Sequence, residues 1–97
     1  MSSDEAKVVY IGRKPPMSYV PGIIMSFADS NVKEVTLKAR GRAINTAVDA
    51  AEIARRRFMK ELRVKGITIG TEGMPPREGE SGKRNVSTIE ITLTRGS

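Results

Sequence analysis

Basic side chains occur in four groups along this 97-residue chain, and they are the strongest candidates for a binding role. Arg and Lys bind anions, above all phosphate groups, through charge-assisted hydrogen bonds. Seventeen Lys and Arg against eleven Asp and Glu leave a net charge of +6, an excess that favours polyanionic partners such as nucleic acid. The four groups are Arg13 and Lys14; Lys38, Arg40 and Arg42; Arg55, Arg56 and Arg57; and Arg77, Lys83 and Arg84.

Most catalytic and metal chemistry is excluded by composition. The chain has no Cys and no His, so it cannot form a disulfide, a Cys/His zinc site or a Ser-His-Asp relay. The segment GKR at 82–84 is similar to the end of a phosphate-binding P-loop, but Arg77 and Arg84 stand where that motif needs Gly and Ser or Thr. Asp49 and Glu52 lie among arginines, which indicates a solvated ion-pair face. We expect no catalytic residues, no metal site, no cofactor and no small-molecule substrate.

Membrane insertion and secretion are not indicated either. The N-terminal MSSDEAK is polar and acidic, and no apolar run approaches the roughly 20 residues that span a bilayer. We expect a cytoplasmic protein with no membrane partner. Aromatic residues make up only 4%, too few for a series of base-stacking platforms, so nucleic-acid binding should depend on charge and shape.

The first half of the chain predicts two strands and a helix. A β-branched and aromatic run at 7–11 is typical of a buried strand. Ser18 is a predicted N-cap for a helix with Pro21 in its first turn and an end near Ala28. Alternating residues at 32–40 predict a half-exposed strand. The predicted core positions are Val20, Ile23, Ile24 and Phe27 of the helix and Val35, Leu37 and Ala39 of the second strand.

The second half predicts a long helix and a hairpin. A helical pattern covers 42–59, with Ile53 on the polar side as a hint of a subunit contact. The segments 64–71 and 86–94 are strand-like and should pair. The connection between them is longer than an ordinary hairpin loop, which indicates a functional or a disordered segment. The apolar stripe of the helix contains Ala43, Ile44, Ala47, Val48, Ala51, Ala54 and Phe58.

This order of elements, β-α-β-α-β-β, predicts an α+β two-layer sandwich in which two helices lie on one face of a four-stranded mixed sheet. At this length we expect a single domain over 1–97. Residues 1–6 would form a flexible N-terminal tail, and 73–84 an extended hairpin loop.

The cations fall at positions that the fold would expose. Arg13 and Lys14 lie in a strand-to-helix loop. This loop has two interpretations: it contacts phosphate, or it is an ordinary solvated loop. Arg40 and Arg42 flank Gly41 at the next strand-to-helix junction, and Lys38 shares a strand face with Arg40. Because a helix N-terminus disfavours nearby Arg, this placement indicates a bound anion.

The two later groups are open to different interpretations. Arg55–Arg57 lie late in a helix, where cations complement the helix dipole, so we favour structural support over DNA contact. Arg77, Lys83 and Arg84 belong to an arm that could enter a minor groove. Glu78 and Glu80 argue against a purely electrostatic role for that arm.

Three segments closely resemble the Alba family, the small basic chromatin proteins of archaea. They are VVYIGRKPPMSYV, VKEVTLKARGRAINTAVDAAEIARRRF and RNVSTIEITL, and the resemblance extends from about residue 7 to 94. It implies an Alba-type fold, a homodimer, and binding to double-stranded DNA and to RNA with little sequence preference.

The resemblance also implies residue roles. Arg13 and Lys14 match a pair of lysines that meets the nucleic-acid backbone, and Arg40 and Arg42 match DNA-contacting arginines. The loop at 73–84 matches an arm that follows the minor groove. Arg13 stands where many members have Lys, so Lys14 is the candidate for acetylation at this loop.

Phe58 has two conflicting interpretations. Its helical spacing predicts a core position, whereas the resemblance places it at an apolar contact between dimers that lie side by side along DNA. The second interpretation implies a higher assembly along DNA.

Together these observations predict a nucleoid-associated chromatin protein that coats and compacts double-stranded DNA as a homodimer and also binds RNA. One alternative is an RNA-binding subunit of an RNA-processing or translation-associated complex, because A-form RNA is also recognised through shape and backbone. Another is a ribosome-like basic protein or a scaffold whose charge only aids solubility. The scaffold alternative predicts no salt-sensitive binding to DNA or RNA.

Overall fold

The computed structural model describes residues 5–96, and its elements follow the predicted order. A short 3-10 turn precedes the first helix, and a five-residue π-helical turn continues the second. The α+β class and the β-α-β-α-β-β order are therefore confirmed. The elements are β1 (Glu5–Tyr10), α1 (Val20–Ala28), β2 (Val32–Arg40), α2 (Ala43–Ile53), β3 (Leu62–Met74) and β4 (Arg84–Arg95), with the 3-10 turn at Pro16–Ser18 and the π turn at Ala54–Phe58.

The four strands form one mixed sheet in the order β1-β2-β4-β3. β1 runs parallel to β2, while β4 is antiparallel to both β2 and β3. The crossover from β1 to β2 passes through α1, as a parallel connection requires. Neither helix in 5–96 is long and apolar enough to cross a bilayer.

The core lies between the helix layer and one face of the sheet. Alternation along β2 buries Val35, Leu37 and Ala39, as predicted, and leaves the intervening side chains on the open face. Small residues on α2 let the helix lie close to the sheet. The buried helical residues are Val20, Ile23 and Phe27 of α1 and Ala43, Ala47, Ala50, Ala51 and Ala54 of α2 and the π turn, with Ile24 half-buried beside them.

The N-terminal strand starts earlier than the sequence predicts. Glu5 and Ala6 pair with β2, and the Glu5 N–H donates to the carbonyl of Asn31 at 2.8 Å. The prediction of a flexible tail is therefore wrong for residues 5 and 6, because β2 offers them ladder partners. Residues 1–4 of the predicted tail lie outside the range that the structure describes.

The start of α1 also differs from the prediction. Ser18 is not the N-cap: it belongs to the 3-10 turn, and its N–H donates to the carbonyl of Pro15 at 2.9 Å. The helix begins at Val20, with Tyr19 at the N-cap position and no side-chain cap. Pro21 does lie in the first helical turn.

The predicted helix over 42–59 divides at Ala54. In the π turn, the Met59 N–H donates to the carbonyl five residues earlier, at 2.8 Å. This wider turn displaces Phe58 from the buried stripe, so its predicted core position is wrong and its side chain is 55% exposed. Val48 is also exposed. Ile53 is half-buried against the core rather than on the polar side, because it follows the buried Ala50 by three residues.

The β3-β4 hairpin is confirmed and is longer than predicted. Its ladder runs from Leu62 opposite Arg95 to Met74 opposite Arg84. The predicted loop at 73–84 therefore shortens to 75–83, because the ladder continues through its first two residues and its last. Gly79 and Gly82 adopt positive φ angles in the remaining turn, a conformation that favours glycine.

Candidate nucleic-acid interface

Three of the four predicted basic groups meet at one end of the sheet. β1 ends with Tyr10 opposite Lys38, and β2 ends with Arg40 opposite Thr88 near the start of β4. Because β4 starts at the hairpin, the β1-α1 loop, the β2-α2 junction and the hairpin all lie at this end. We call it the cationic end, defined by Arg13, Lys14, Lys38, Arg40, Arg42, Arg77, Lys83 and Arg84.

The β1-α1 loop is fastened by a tyrosine. The Tyr19 hydroxyl oxygen accepts hydrogen bonds from the N–H groups of Gly12 at 3.0 Å and Lys14 at 3.1 Å. A Cβ on Gly12 would lie 3.2 Å from that oxygen, so glycine permits the close approach. The side chains of Arg13 and Lys14 are exposed. The loop therefore presents two cations on a fastened backbone.

Lys38 and Arg40 lie on the open face of the sheet, and each has a carboxylate partner. An Arg40 guanidinium nitrogen donates to Glu72 Oε1 at 2.8 Å, and Lys38 Nζ lies 3.8 Å from Glu90 Oε2. The Arg40 and Glu72 side chains are 58% and 49% exposed, so water weakens their attraction. Phosphate can therefore compete with Glu90 for Lys38 and with Glu72 for Arg40.

The sequence did not reveal these carboxylates as part of the site. Glu90 lies directly opposite Lys38 in the β2-β4 ladder, while Glu72 lies on β3, which is not a neighbour of β2. The alternation of β4 places Glu90 on the open face, and this was the one feature of the sequence that could have indicated a carboxylate in the site. These groups line a shallow depression with Tyr10 and Thr88.

Arg42 lies immediately before α2, directly after a glycine turn. Gly41 has a φ of +58°, and its N–H donates to the carbonyl of Ser87 at 2.8 Å, which fixes the junction against β4. Arg42 is exposed at the N-cap position and provides no side-chain cap. A cation at a helix N-terminus is unfavourable alone, and an anion placed there would offset that cost.

The hairpin cations differ in how they are held. Arg84 closes the ladder, and its Nε donates to the carbonyl of Pro75 at 3.3 Å. Arg77 and Lys83 are exposed, and the Arg77 backbone N–H donates to Glu80 at 3.2 Å. This places two exposed cations on the 75–83 loop and one partly held at its base.

The arginines after α2 form an ion-pair cluster away from the cationic end. Glu52 accepts hydrogen bonds from Arg55 and from Arg56, the latter at 2.8 Å, as predicted. These bonds, first that from Arg55, lower the pKa of Glu52 below its usual value. Arg57 is exposed, and Asp49 joins no ion pair within residues 5–96.

An uncovered apolar patch lies on β3. Val64, Ile67 and Ile69 pair with buried residues of β4 and therefore lie on the helix side of the sheet, but the helices do not reach them. Ile69 is 77% exposed and shares a groove with Ile44 of α2. Contiguous exposed apolar surface of this kind marks an interaction site. We call Val64, Ile67 and Ile69 the apolar flank; Val48 and Phe58 of the helix layer are also exposed.

The fold and surface define a small α+β protein with a cationic end on its sheet and an apolar flank on its edge strand. Residues 7–71 match the sequence model of the family described as Alba. The chain is 48% identical over 87 residues to the DNA/RNA-binding protein Alba of Methanococcus maripaludis, covering 89% of this chain and 94% of that protein. With the protein of that name from Picrophilus torridus it shares 43% identity over 91 residues, or 94% and 98% of the two chains.

A solved structure shows the same architecture. Alba from Thermoplasma volcanium superposes with a TM-score of 0.80 at 41% identity, covering 91% of this chain and 99% of that one. The chain therefore belongs to the Alba family, and the resemblance seen in the sequence is confirmed.

Proposed function

We propose that this chain is a nucleic-acid-binding protein, not an enzyme, that coats and compacts double-stranded DNA without sequence preference and also binds RNA. The observation that carries the proposal is the placement of eight cationic residues, from the β1-α1 loop, the end of β2 with the start of α2, and the β3-β4 hairpin, at one end of the sheet. The names of the Methanococcus and Picrophilus relatives, which specify DNA and RNA binding, support it.

Binding of this kind derives its free energy from phosphate contacts. Lys and Arg displace condensed counterions from the duplex, so log K falls by about 0.9 for each phosphate neutralised as log salt rises. Contacts of Arg and Lys with phosphate position a protein but carry no sequence information. The exposed side chains of Arg13, Lys14 and Arg42 suit this role.

The proposal includes a homodimer, for which the apolar flank is the evidence. Pairing two copies through β3 would remove Val64, Ile67 and Ile69 from water and double the net charge of +6. Phe58 lies exposed after α2, as a contact between neighbouring dimers along DNA requires.

Several finer roles belong to the same proposal. The chain acts as a single domain associated with the nucleoid in the cytoplasm, and the 75–83 loop follows the minor groove with Arg77 and Lys83. Acetylation of Lys14, which is exposed, would remove one phosphate-binding charge and weaken binding. The RNA-binding subunit remains the alternative, since the same cationic end suits A-form RNA.

The test is the double variant R40A/R42A. Both side chains are exposed, so the fold should persist. Affinity should fall similarly on unrelated duplexes, and the salt slope should decrease by roughly one for each phosphate that is no longer neutralised. The matched control, K33A/K60A, removes two exposed lysines at the opposite end of the sheet and should change the slope less. An unchanged slope with reduced affinity would make the arginines structural.

A further inference from the structure

The β1-α1 loop carries Arg13 and Lys14 but is fastened by a residue that has no charge. Tyr19 accepts the N–H groups of Gly12 and Lys14, which flank Arg13 on both sides. One hydroxyl thus holds the backbone on either side of an exposed cation.

Tyr19 is itself fixed to the helix layer. Its backbone N–H donates to the carbonyl of Pro16 at 3.0 Å, and its carbonyl accepts the N–H of Ile23 at 3.2 Å. Its side chain is half-buried against the core. The hydroxyl therefore connects the β1-α1 loop to the start of α1, and the fixed position of Tyr19 restrains the loop backbone.

The composition of the loop supports a fastened conformation. Gly12 has no Cβ to obstruct the phenol, and a Cβ there would approach the hydroxyl oxygen to 3.2 Å. Pro15 and Pro16 follow, and proline has restricted φ. A backbone that is already ordered loses less conformational entropy when its side chains bind a ligand.

We propose that Tyr19 is a positioning residue for phosphate binding: its hydroxyl orders the Gly12–Lys14 backbone so that Arg13 and Lys14 bind phosphate without first ordering the loop. This inference rests on the proposed nucleic-acid binding. It assigns part of the affinity to an uncharged side chain that itself makes no phosphate contact.

The variant Y19F keeps the ring and removes the acceptor. Amide hydrogen exchange should accelerate at Gly12 and Lys14 while the amides of α1 keep their protection and the melting temperature stays close to that of the wild type. Affinity for a duplex DNA should fall roughly tenfold, the effect of having to order about one residue of backbone on binding. The control is S26A, which also removes one hydroxyl from the α1 segment; the Ser26 hydroxyl donates to the helix's own Gly22 carbonyl at 2.7 Å and lies outside the cationic end. S26A should match the wild type in exchange at Gly12 and Lys14 and in affinity.

A coupling measurement separates positioning from a general structural effect. In the R13A/K14A background, Y19F should cause no further loss of duplex affinity, because the side chains it positions are gone. An additional tenfold loss there, or faster exchange throughout α1, would overturn the inference.

The outcome for the inference is separable from that for the proposed function. A wild-type protein that fails to bind duplex DNA would overturn the proposed function and this inference with it. A wild-type protein that binds, together with a Y19F variant of equal affinity, would overturn the inference alone.

Discussion

Replacing Glu72 by Gln should tighten binding to duplex DNA. In the unbound protein, Glu72 accepts a hydrogen bond from Arg40 at 2.8 Å and so occupies a cation of the cationic end. Phosphate competes with this carboxylate for the Arg40 guanidinium, so the carboxylate lowers the affinity of Arg40 for phosphate. An amide of the same shape holds the guanidinium more weakly, since it carries no charge.

The magnitude follows from the exposure of the pair. With 58% and 49% of the two side chains exposed, the Arg40–Glu72 pair belongs to the exposed class, worth about 0.2 to 1 kcal/mol. At about 1.4 kcal/mol per tenfold change, this corresponds to roughly 1.4- to 5-fold in affinity for each copy of the site. A homodimer that uses both copies should gain about 2- to 30-fold.

Fluorescence anisotropy with a labelled duplex at fixed salt measures the gain. E61Q is the matched control, because it changes the net charge equally at an exposed position next to the start of β3, at the opposite end of the sheet. The triple variant E72Q/R40A/R42A should show no gain over R40A/R42A. If E72Q binds no more tightly than E61Q, the carboxylate does not compete with phosphate and the reasoning fails.

Three further predictions concern the core, the apolar flank and the ion-pair cluster. F27A, at a fully buried side chain, should lower the free energy of unfolding by about 3 to 5 kcal/mol in urea titrations, and a decrease below about 1 kcal/mol would mean the site is not packed. I69K should turn a dimer into a folded monomer in sedimentation experiments and halve the salt slope, whereas an unchanged mass would locate the dimer contact elsewhere. E52Q should be less stable at neutral pH by about 0.6 to 1 kcal/mol, the sum of two helical ion pairs at about 0.3 to 0.5 each. Folding lowers the pKa of Glu52, so its contribution to stability is fully present above the usual pKa of about 4.3 and is lost as pH falls through the folded pKa. The free energies of unfolding of the wild type and E52Q should therefore converge in acid.

Much of the architecture could be predicted from local patterns. The alternation along β2 correctly separates the buried Val35 and Leu37 from the open-face Lys38. Period-two burial on one side of a sheet is a local property, so a single sequence is enough to reveal it. The same holds for the pairing of the two C-terminal strands, although their ends extend further than the pattern indicates.

The misses depend on tertiary structure. Glu5 and Ala6 look like a polar tail because their partner strand is distant in sequence. Phe58 looks buried because helical periodicity assumes 3.6 residues per turn, which the π turn at Ala54–Phe58 does not keep. Ser18 looks like an N-cap, but it lies inside a 3-10 turn, and Tyr19 takes the N-cap position of α1.

The cationic residues of the candidate site could be named in advance, but their partners could not. Arg40 and Glu72 are separated by 32 positions and lie on strands that are not neighbours, so only the strand order brings them together. Tyr19 likewise looks like an ordinary half-buried aromatic until the loop geometry is known.

A salt titration of duplex binding by the wild-type protein of known oligomeric state tests the central claim most directly. Two unrelated DNA sequences and one duplex RNA of equal length should be compared at several salt concentrations. We predict that a dimer binds all three with similar affinity and that log K falls steeply and linearly with log salt. A strong preference for RNA would favour the RNA-binding subunit, and weak binding to all three with no salt dependence would contradict nucleic-acid binding through the cationic end.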